Sequence, residues 1–153
     1  AVACAVVNGD ERNGGEIMLD KEYNGRDYLF GRLLAIENYV ERKTYDVVSD
    51  KNRETNAIRY MSDFVKRPVT TWEFLYKQFL YYCLKLNRIQ IGAGEYYRGM
   101  VDDIMSRIDP AEFNDKPLDK EYLLGFSGQN TLFSKREYAK KKAGEEIEGI
   151  VEE

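Results

Sequence analysis

No histidine occurs among the 153 residues, so the commonest general base near neutral pH, the commonest metal ligand and the ordinary Ser or Cys triads are missing together. Asp102 and Asp103 are adjacent; on a helix they diverge by about 100° and do not grip one metal ion. Neither a dinucleotide fingerprint nor a P-loop is present, and GAGEYYRG at 92–99 follows a helical run rather than a strand, which reads as a helix-helix turn. The sequence therefore points to a protein that is not an enzyme and carries no cofactor and no metal. What it offers is binding chemistry. The stretch TTWEFLYKQFLYYCLKLNR, from Thr70 to Arg88, holds six aromatic rings and three bases, with Glu73 its one acid. Placed on a helix, Trp72, Leu75, Tyr76, Phe79, Leu80, Tyr82, Cys83, Leu84, Leu86 and Ile89 spread over more than half the circumference, as expected of a central, multiply packed helix.

The remaining wedge holds Phe74, Lys77, Gln78, Tyr81, Lys85 and Arg88, with Lys77, Tyr81 and Lys85 at i, i+4 and i+8. From Lys77 to Arg88 the ridge spans roughly 16 Å, long enough for a few phosphates of a nucleic acid. Its bases can neutralise phosphate and Tyr81 can stack on an unpaired base; a solvated helix face has the same composition. Upstream, Lys51, Arg53, Arg59, Lys66 and Arg67 stand against two acids, Glu54 and Asp63, so a second segment shares the positive excess. The candidate nucleic-acid-binding residues are thus Arg59, Lys66, Arg67, Lys77, Tyr81, Lys85 and Arg88.

The elements that must position them read as helices. Leu29, Leu33, Ile36 and Val40 recur at helical spacing behind Asp27, a candidate cap for a helix to about Arg42, with Gly31 placed for close contact with another helix. A helix near Glu54 to Val65 presents Ile58, Met61 and Val65 on one side, and Pro68 ends it. Thr70 and Glu73 have capping-box spacing for the helix that runs to about Ile89, which Gly92 and Gly94 close. A fourth helix, about Glu95 to Ile108, aligns Tyr97, Met100, Val101, Ile104 and Ile108. A fifth, about Leu118 to Phe133, is apolar at Tyr122, Leu123, Phe126 and Leu132 and interrupted by Gly125 and Gly128. The sum is an all-α bundle of about five helices, with an N-terminal remnant helix and loop over 1–26, the bundle over 27–134 and a charged tail over 135–153.

That length suits one domain, since domains commonly run about 100–200 residues. The net charge is −4, but Glu145, Glu146, Glu148, Glu152 and Glu153 are all terminal, so residues 1–143 carry 23 bases against 22 acids. A near-neutral body lets local patches decide the partner. Cys4 and Cys83 lack metal or redox spacing and read as reduced, buried thiols of a cytoplasmic protein. AVACAVV at 1–7 is too short for a membrane span and lacks a signal peptide's positive flank; it reads as the last turns of an apolar helix.

Several segments carry a family resemblance. DYLFGRLLAIENYVE resembles the Y-L-x-G-R-L-x-A-x-x-E segment in the C-terminal part of the large subunit of the type I-C CRISPR effector complex, the Csd-type Cascade protein, through Tyr28, Leu29, Gly31, Arg32, Leu33, Ala35 and, displaced by one residue, Glu37. NAIRYMSDF at 56–64 is similar to the family's A-T-I-R-D-R-Y, and the helix at Phe74 to Leu86 to its F-x-x-L-x-x-L-x-x-x-x-L. YYRGMVDDIMSRID resembles its Y-Y-x-x-L-I-x-x-I-M-x-x-L, and YLLGFSGQNTLFSKRE its L-G-Y-Y-H-Q-R-Q-x-x-F-x-K-K ending. Order and spacing agree over about residues 17–142. Two departures stand out: Tyr81-Tyr82 replaces the family's His pair, and Phe126 to Thr131 replaces Y-Y-H-Q-R-Q, removing basic groups, so no binding role carries onto that segment.

The resemblance implies a helical region that the family also makes separately, from an internal translation start, as the small inner subunit; Met18 is a candidate start. It implies the backbone and large subunits, the guide RNA, the target or non-target DNA and further copies of the chain as partners, with no membrane association. Its implied role is non-catalytic: supporting guide RNA assembly and holding the displaced non-target strand. A purely structural adaptor that touches only protein is the alternative.

Overall fold

The first helix, α1 (Arg26–Val47), is where most of the apolar side chains converge, and it buries Tyr28, Leu29, Phe30, Leu33, Leu34, Ala35, Ile36 and Val40. The structure, a computed structural model, describes residues 16–48 and 50–152, with side chains to residue 145; Cys4 and the run at 1–7 lie outside them. After α1 come two short helices, α2 (Asn56–Arg59) and α3 (Met61–Lys66), then the long α4 (Pro68–Ile89), α5 (Ala93–Arg107), a 3₁₀ turn (Pro110–Glu112) and α6 (Glu121–Glu152). The expected all-α class holds: among the described residues six α-helices form and no strand does.

The centre of the bundle differs from the sequence expectation. It is α1, rather than α4, that meets α2, α4, α5 and α6, and small residues explain why. A Cβ on Gly31 would lie 2.0 Å from the carbonyl oxygen of Tyr122, and one on Gly125 would lie 2.0 Å from that of Tyr28. The two glycines are thus reciprocal notches that let α1 and α6 touch backbone to backbone. Gly31 is the close contact its sequence position suggests. Gly125 does not interrupt its helix: glycine costs roughly 1 kcal/mol relative to alanine inside a helix, and removing a clash with backbone outweighs it. Gly128 makes a separate close approach, to the segment before α1, where the Cα of Leu19 would be 3.0 Å from an added Cβ.

Beside this seam Arg32 is 6% exposed and its Nε–H donates to Oε1 of Gln129 at 2.9 Å, a polar joint inside the α1–α6 contact. On its other side α1 shares the core with α4 and α5 through Trp72, Leu75, Phe79, Cys83, Leu86, Val101 and Ile104, joined by Phe64 of α3 and by Ile108 just past α5.

Helix ends depart from the local signals in informative ways. α1 begins two residues earlier than expected, with Gly25 rather than Asp27 at its N-cap; Asp27 sits in the first turn, pairs with Arg26 at 2.7 Å and accepts the Asp119 N–H at 2.9 Å. The segment expected as one helix breaks at Tyr60 into α2, capped by the Thr55 hydroxyl, and α3, which leaves Ile58 exposed and buries Ala57 and Phe64 instead. Pro68 opens α4 at its first position, where a missing N–H costs nothing. The Thr70–Glu73 capping box does not form. Thr70 lies inside the helix, and both its N–H and its hydroxyl donate to Asp115, at 2.9 and 2.6 Å. Gly92, at φ 85°, makes the left-handed turn into α5, while Gly94 is already helical and tight against the Cys83 carbonyl. α6 continues well past Phe133.

The long connection before α6 is fixed by Arg26, whose guanidinium donates to the carbonyls of Glu112, Asn114 and Lys116 at 2.7, 2.9 and 2.8 Å. The Leu118 N–H adds a bond to the Val65 carbonyl at 2.8 Å. This connection therefore delivers Asp115 to the start of α4.

Candidate nucleic-acid interface

The two sides of α4 separate as the residue types demand. Trp72, Leu75, Phe79, Cys83 and Leu86, spaced three and four apart, are buried against α1 and α5. Opposite them Phe74, Lys77, Tyr81, Leu84 and Arg88 face outward with Lys85 half-buried beside them. Lys77, Tyr81, Lys85 and Arg88 therefore share one face, as their spacing predicts. The Lys85 ammonium sits 4.8 Å from the Tyr81 ring centroid, a cation-π contact that orders both side chains.

Tyr81 is also held from within. Its ring meets Tyr82 edge-on at 5.5 Å, and the buried Tyr82 hydroxyl lies 3.1 Å from that of Tyr45. Tyr45 in turn donates to a carboxylate oxygen of Glu41, whose two oxygens accept the Asn56 N–H at 2.8 and 2.9 Å. One helical turn before Glu41, Glu37 is fully buried. Its oxygens face the Glu41 carboxyl and the Ala57 amide without a well-formed hydrogen bond, and burial, then the neighbouring Glu41 charge, hold its carboxyl protonated well above the usual carboxylate range.

The wider basic patch is only partly assembled. Arg67 lines a groove of about 310 Å³ with Tyr60, Asp63, Thr70, Thr71 and Phe74, and Tyr60 and Phe74 meet edge-on at 5.1 Å. That places Arg67 at the N-terminal end of the outer face of α4, though Asp63 shares its groove. Arg59 and Lys66 are exposed on α2 and α3 and touch none of the α4 ridge residues through a hydrogen bond, ion pair or ring contact among the described residues. The ion pairs there join Arg26 to Asp27, Lys43 to Glu137 and Arg107 to Asp103, so none of the six candidate bases is engaged by a carboxylate within 4.0 Å.

Two features of this face escape the periodicity. Leu84 and Ile89, which the helical wheel assigns to the apolar side, are 59% and 54% exposed. The reason is that α4 is not central, so its packed arc is narrower than its apolar arc. The second is Arg53, whose guanidinium lies 4.8 Å from the Tyr45 ring, beside the aromatic chain that supports Tyr81. Its only sequence signal was membership of the basic segment 51–67. Cys83 belongs to the core, where burial pushes its thiol up to about 12, which leaves it unreactive at neutral pH.

The model of the family described as CRISPR-associated protein (Cas_Csd1) matches residues 3–134. The chain belongs to the Csd1 family. A search of curated proteins gives no match. Within this Csd1 chain, the residues that carry the family pattern turn out to be architectural: Tyr28 and Gly31 form the seam with α6, and Arg32 holds Gln129 across it. The ridge of α4 lies on another of the matching segments, the helix at Phe74 to Leu86, and away from the glycine seam. Among the described residues of this Csd1 chain no three His, Cys, Asp or Glu side chains gather to hold a metal ion, and no helix is long and apolar enough to cross a membrane.

Proposed function

We propose that the chain is a non-catalytic component of a type I-C CRISPR effector complex, either its small subunit or the C-terminal domain of its large one. In this reading it supports guide RNA assembly and contacts the displaced non-target DNA strand through the outer face of α4. The observation that carries it is the juxtaposition on that face of Lys77, Lys85 and Arg88, unpaired with any described carboxylate, around the half-exposed ring of Tyr81. Binding of this kind is electrostatic and indifferent to sequence, with bases against phosphate and the ring against a base. Arg67 extends the track at the start of α4, and Arg59 and Lys66 add positive charge from the neighbouring helices.

The test is charge reversal of Lys77, Lys85 and Arg88 to Glu in the assembled complex, with target-DNA binding measured as a function of salt. Loss of affinity and a shallower salt dependence support the reading; unchanged affinity and slope overturn it. A second reading is favoured by Phe74 and Leu84, 43% and 59% exposed on the same face, since apolar groups beside bases suit a protein partner. It makes the chain a structural adaptor, touching only the backbone subunits, the large subunit and its own copies. Photo-crosslinking separates the two, because an adaptor gives crosslinks to protein alone.

A further inference from the structure

A second feature of the surface begins where the α4 ridge ends. The α4–α5 turn, the C-terminal half of α1 and the middle of α6 enclose a groove of about 610 Å³, within the range of about 300–1,000 Å³ that small ligands occupy. Its floor is rigid. Tyr39 stacks on Phe133 at 4.2 Å, and Tyr97 meets both rings edge-on, at 5.7 and 6.1 Å. Its walls are unlike the floor. Arg136 lies over the ring of Tyr96, 5.4 Å from its centroid, and Tyr96 itself is 48% exposed. From the turn comes Ile91, 97% exposed.

The charges around this groove are already sorted. Glu137 accepts the Tyr39 hydroxyl at 2.5 Å and pairs with Lys43 at 3.7 Å, so this acid and this base answer each other. Arg136 and Lys140 have no described carboxylate within ion-pair distance. Arg136 lines the groove with its guanidinium over one tyrosine ring, and a planar, electron-rich ring is a further ligand that a guanidinium plane accepts. An acidic side chain would satisfy the charge but leave that plane and Ile91 uncovered. A nucleobase with its phosphate satisfies both. Gln90, Ile91 and Gly92, which line the groove, follow Arg88 after one residue, Ile89, so a strand lying along α4 reaches the groove without leaving the protein.

We propose that this groove takes one unpaired nucleotide of a nucleic-acid strand, its base between the Arg136 guanidinium and Ile91 and its phosphate toward Lys140. The inference rests on the nucleic-acid-binding reading given above, but it makes a separate demand: beyond the base that Tyr81 can stack, the groove needs a second base held against Arg136.

The experiment compares binding of the 153-residue chain at low salt to two fluorescent oligonucleotides of equal length, one of thymidylate and one abasic. Wild type is expected to prefer the base-bearing strand by more than about tenfold, since the groove alone contributes about tenfold, the size of one stacked base. Arg136→Lys keeps the charge and removes the plane, so it is expected to hold the abasic strand as before and to lose about tenfold of the preference, leaving the part that Tyr81 supplies. Lys77→Glu, Lys85→Glu and Arg88→Glu together are expected to weaken both strands alike and keep their ratio. A wild-type ratio near one, or an Arg136→Lys variant with an undiminished ratio, overturns the groove even if the ridge variant weakens both strands. A persisting ratio with no loss of affinity in the ridge variant keeps the groove and overturns the ridge. Displacement of the oligonucleotide from wild type by a peptide of residues 144–153, with an unchanged ratio in Arg136→Lys, assigns the groove to a protein segment and overturns it. Absence of binding to either strand overturns both.

Discussion

Replacing Glu37 by Gln is expected to stabilise the protein at neutral pH and to have little effect near pH 4, because the buried acid pair of α1 makes one proton a condition of folding. Glu37 is fully buried next to Glu41, and both burial and that neighbour raise its affinity for a proton. In the unfolded chain a glutamate titrates near about pH 4.3. Below that value both states hold the proton and stability is complete. As pH rises above it, the unfolded chain releases its proton while the folded one retains it, so folding must take up a proton and stability falls until pH passes the raised folded value. The slope in that window reaches about 1.4 kcal/mol per pH unit for a single group. For a chain of this size that corresponds to about 2–4 °C in Tm per kcal/mol.

Gln cannot ionise, so the variant lacks this slope. Glu41→Gln should act in the opposite sense at neutral pH, since Glu41 accepts the Tyr45 hydroxyl and the Asn56 N–H, and an amide loses one of those acceptors; truncating a buried hydrogen-bond partner costs about 1–3 kcal/mol. The assay is urea denaturation of the three proteins from pH 4 to 8. Wild type and Glu37→Gln should converge at the acid end and diverge steadily above it. Curves separated by a constant offset at every pH would refute the reasoning, for then the carboxyl would not be carrying the coupled proton.

Other expectations follow from the seam, the start of α4 and the core. Gly31→Ala places a Cβ against the Tyr122 carbonyl and should cost about 1–3 kcal/mol in chemical denaturation, as overpacking does; Gly99→Ala, where an added Cβ meets nothing within 4 Å, should be neutral or slightly stabilising by the same assay. Asp115→Ala removes both acceptors of Thr70 and should cost about 1 kcal/mol, the usual value of a helix cap. Because those bonds hold the Asp115 carboxyl below the usual range, its contribution should be present at neutral pH and fade as pH falls through its lowered folded value. Cys83 should resist a thiol-specific reagent in the native protein and react at once in denaturant, a readout of its burial in absorbance kinetics.

Helical class was legible because Leu29, Leu33, Ile36 and Val40, or Trp72, Leu75, Phe79, Cys83 and Leu86, repeat at three and four residues and nothing competes with that period. The shared outer face of Lys77, Tyr81, Lys85 and Arg88 was legible for the same reason, since helix geometry alone fixes them on one side of α4. What spacing does not encode is how much of an apolar arc finds a partner. Leu84 looks like core on a helical wheel, yet the Gly31–Gly125 contact draws α1 to the centre and leaves α4 at the side with Leu84 outside. Caps failed for a related reason. Thr70 and Glu73 make a sound local motif, but Pro68 starts the helix earlier and Asp115 arrives from 45 residues away to take the threonine. The groove between Ile91 and Arg136 was illegible in sequence because its parts come from three helices and a turn, joined only by tertiary packing.

The chain of rings behind Tyr81 also bears on kinetics of encounter. A flexible aromatic at a binding surface must be frozen each time a partner arrives, and that ordering subtracts from affinity. Tyr81 leans on Tyr82, which is anchored through Tyr45 to the carboxylate of Glu41, and the Lys85 ammonium lies 4.8 Å from its ring centroid. The ring is therefore immobilised before any partner comes, its entropy spent during folding, and a strand sweeping along α4 meets a surface that does not have to rearrange to receive it.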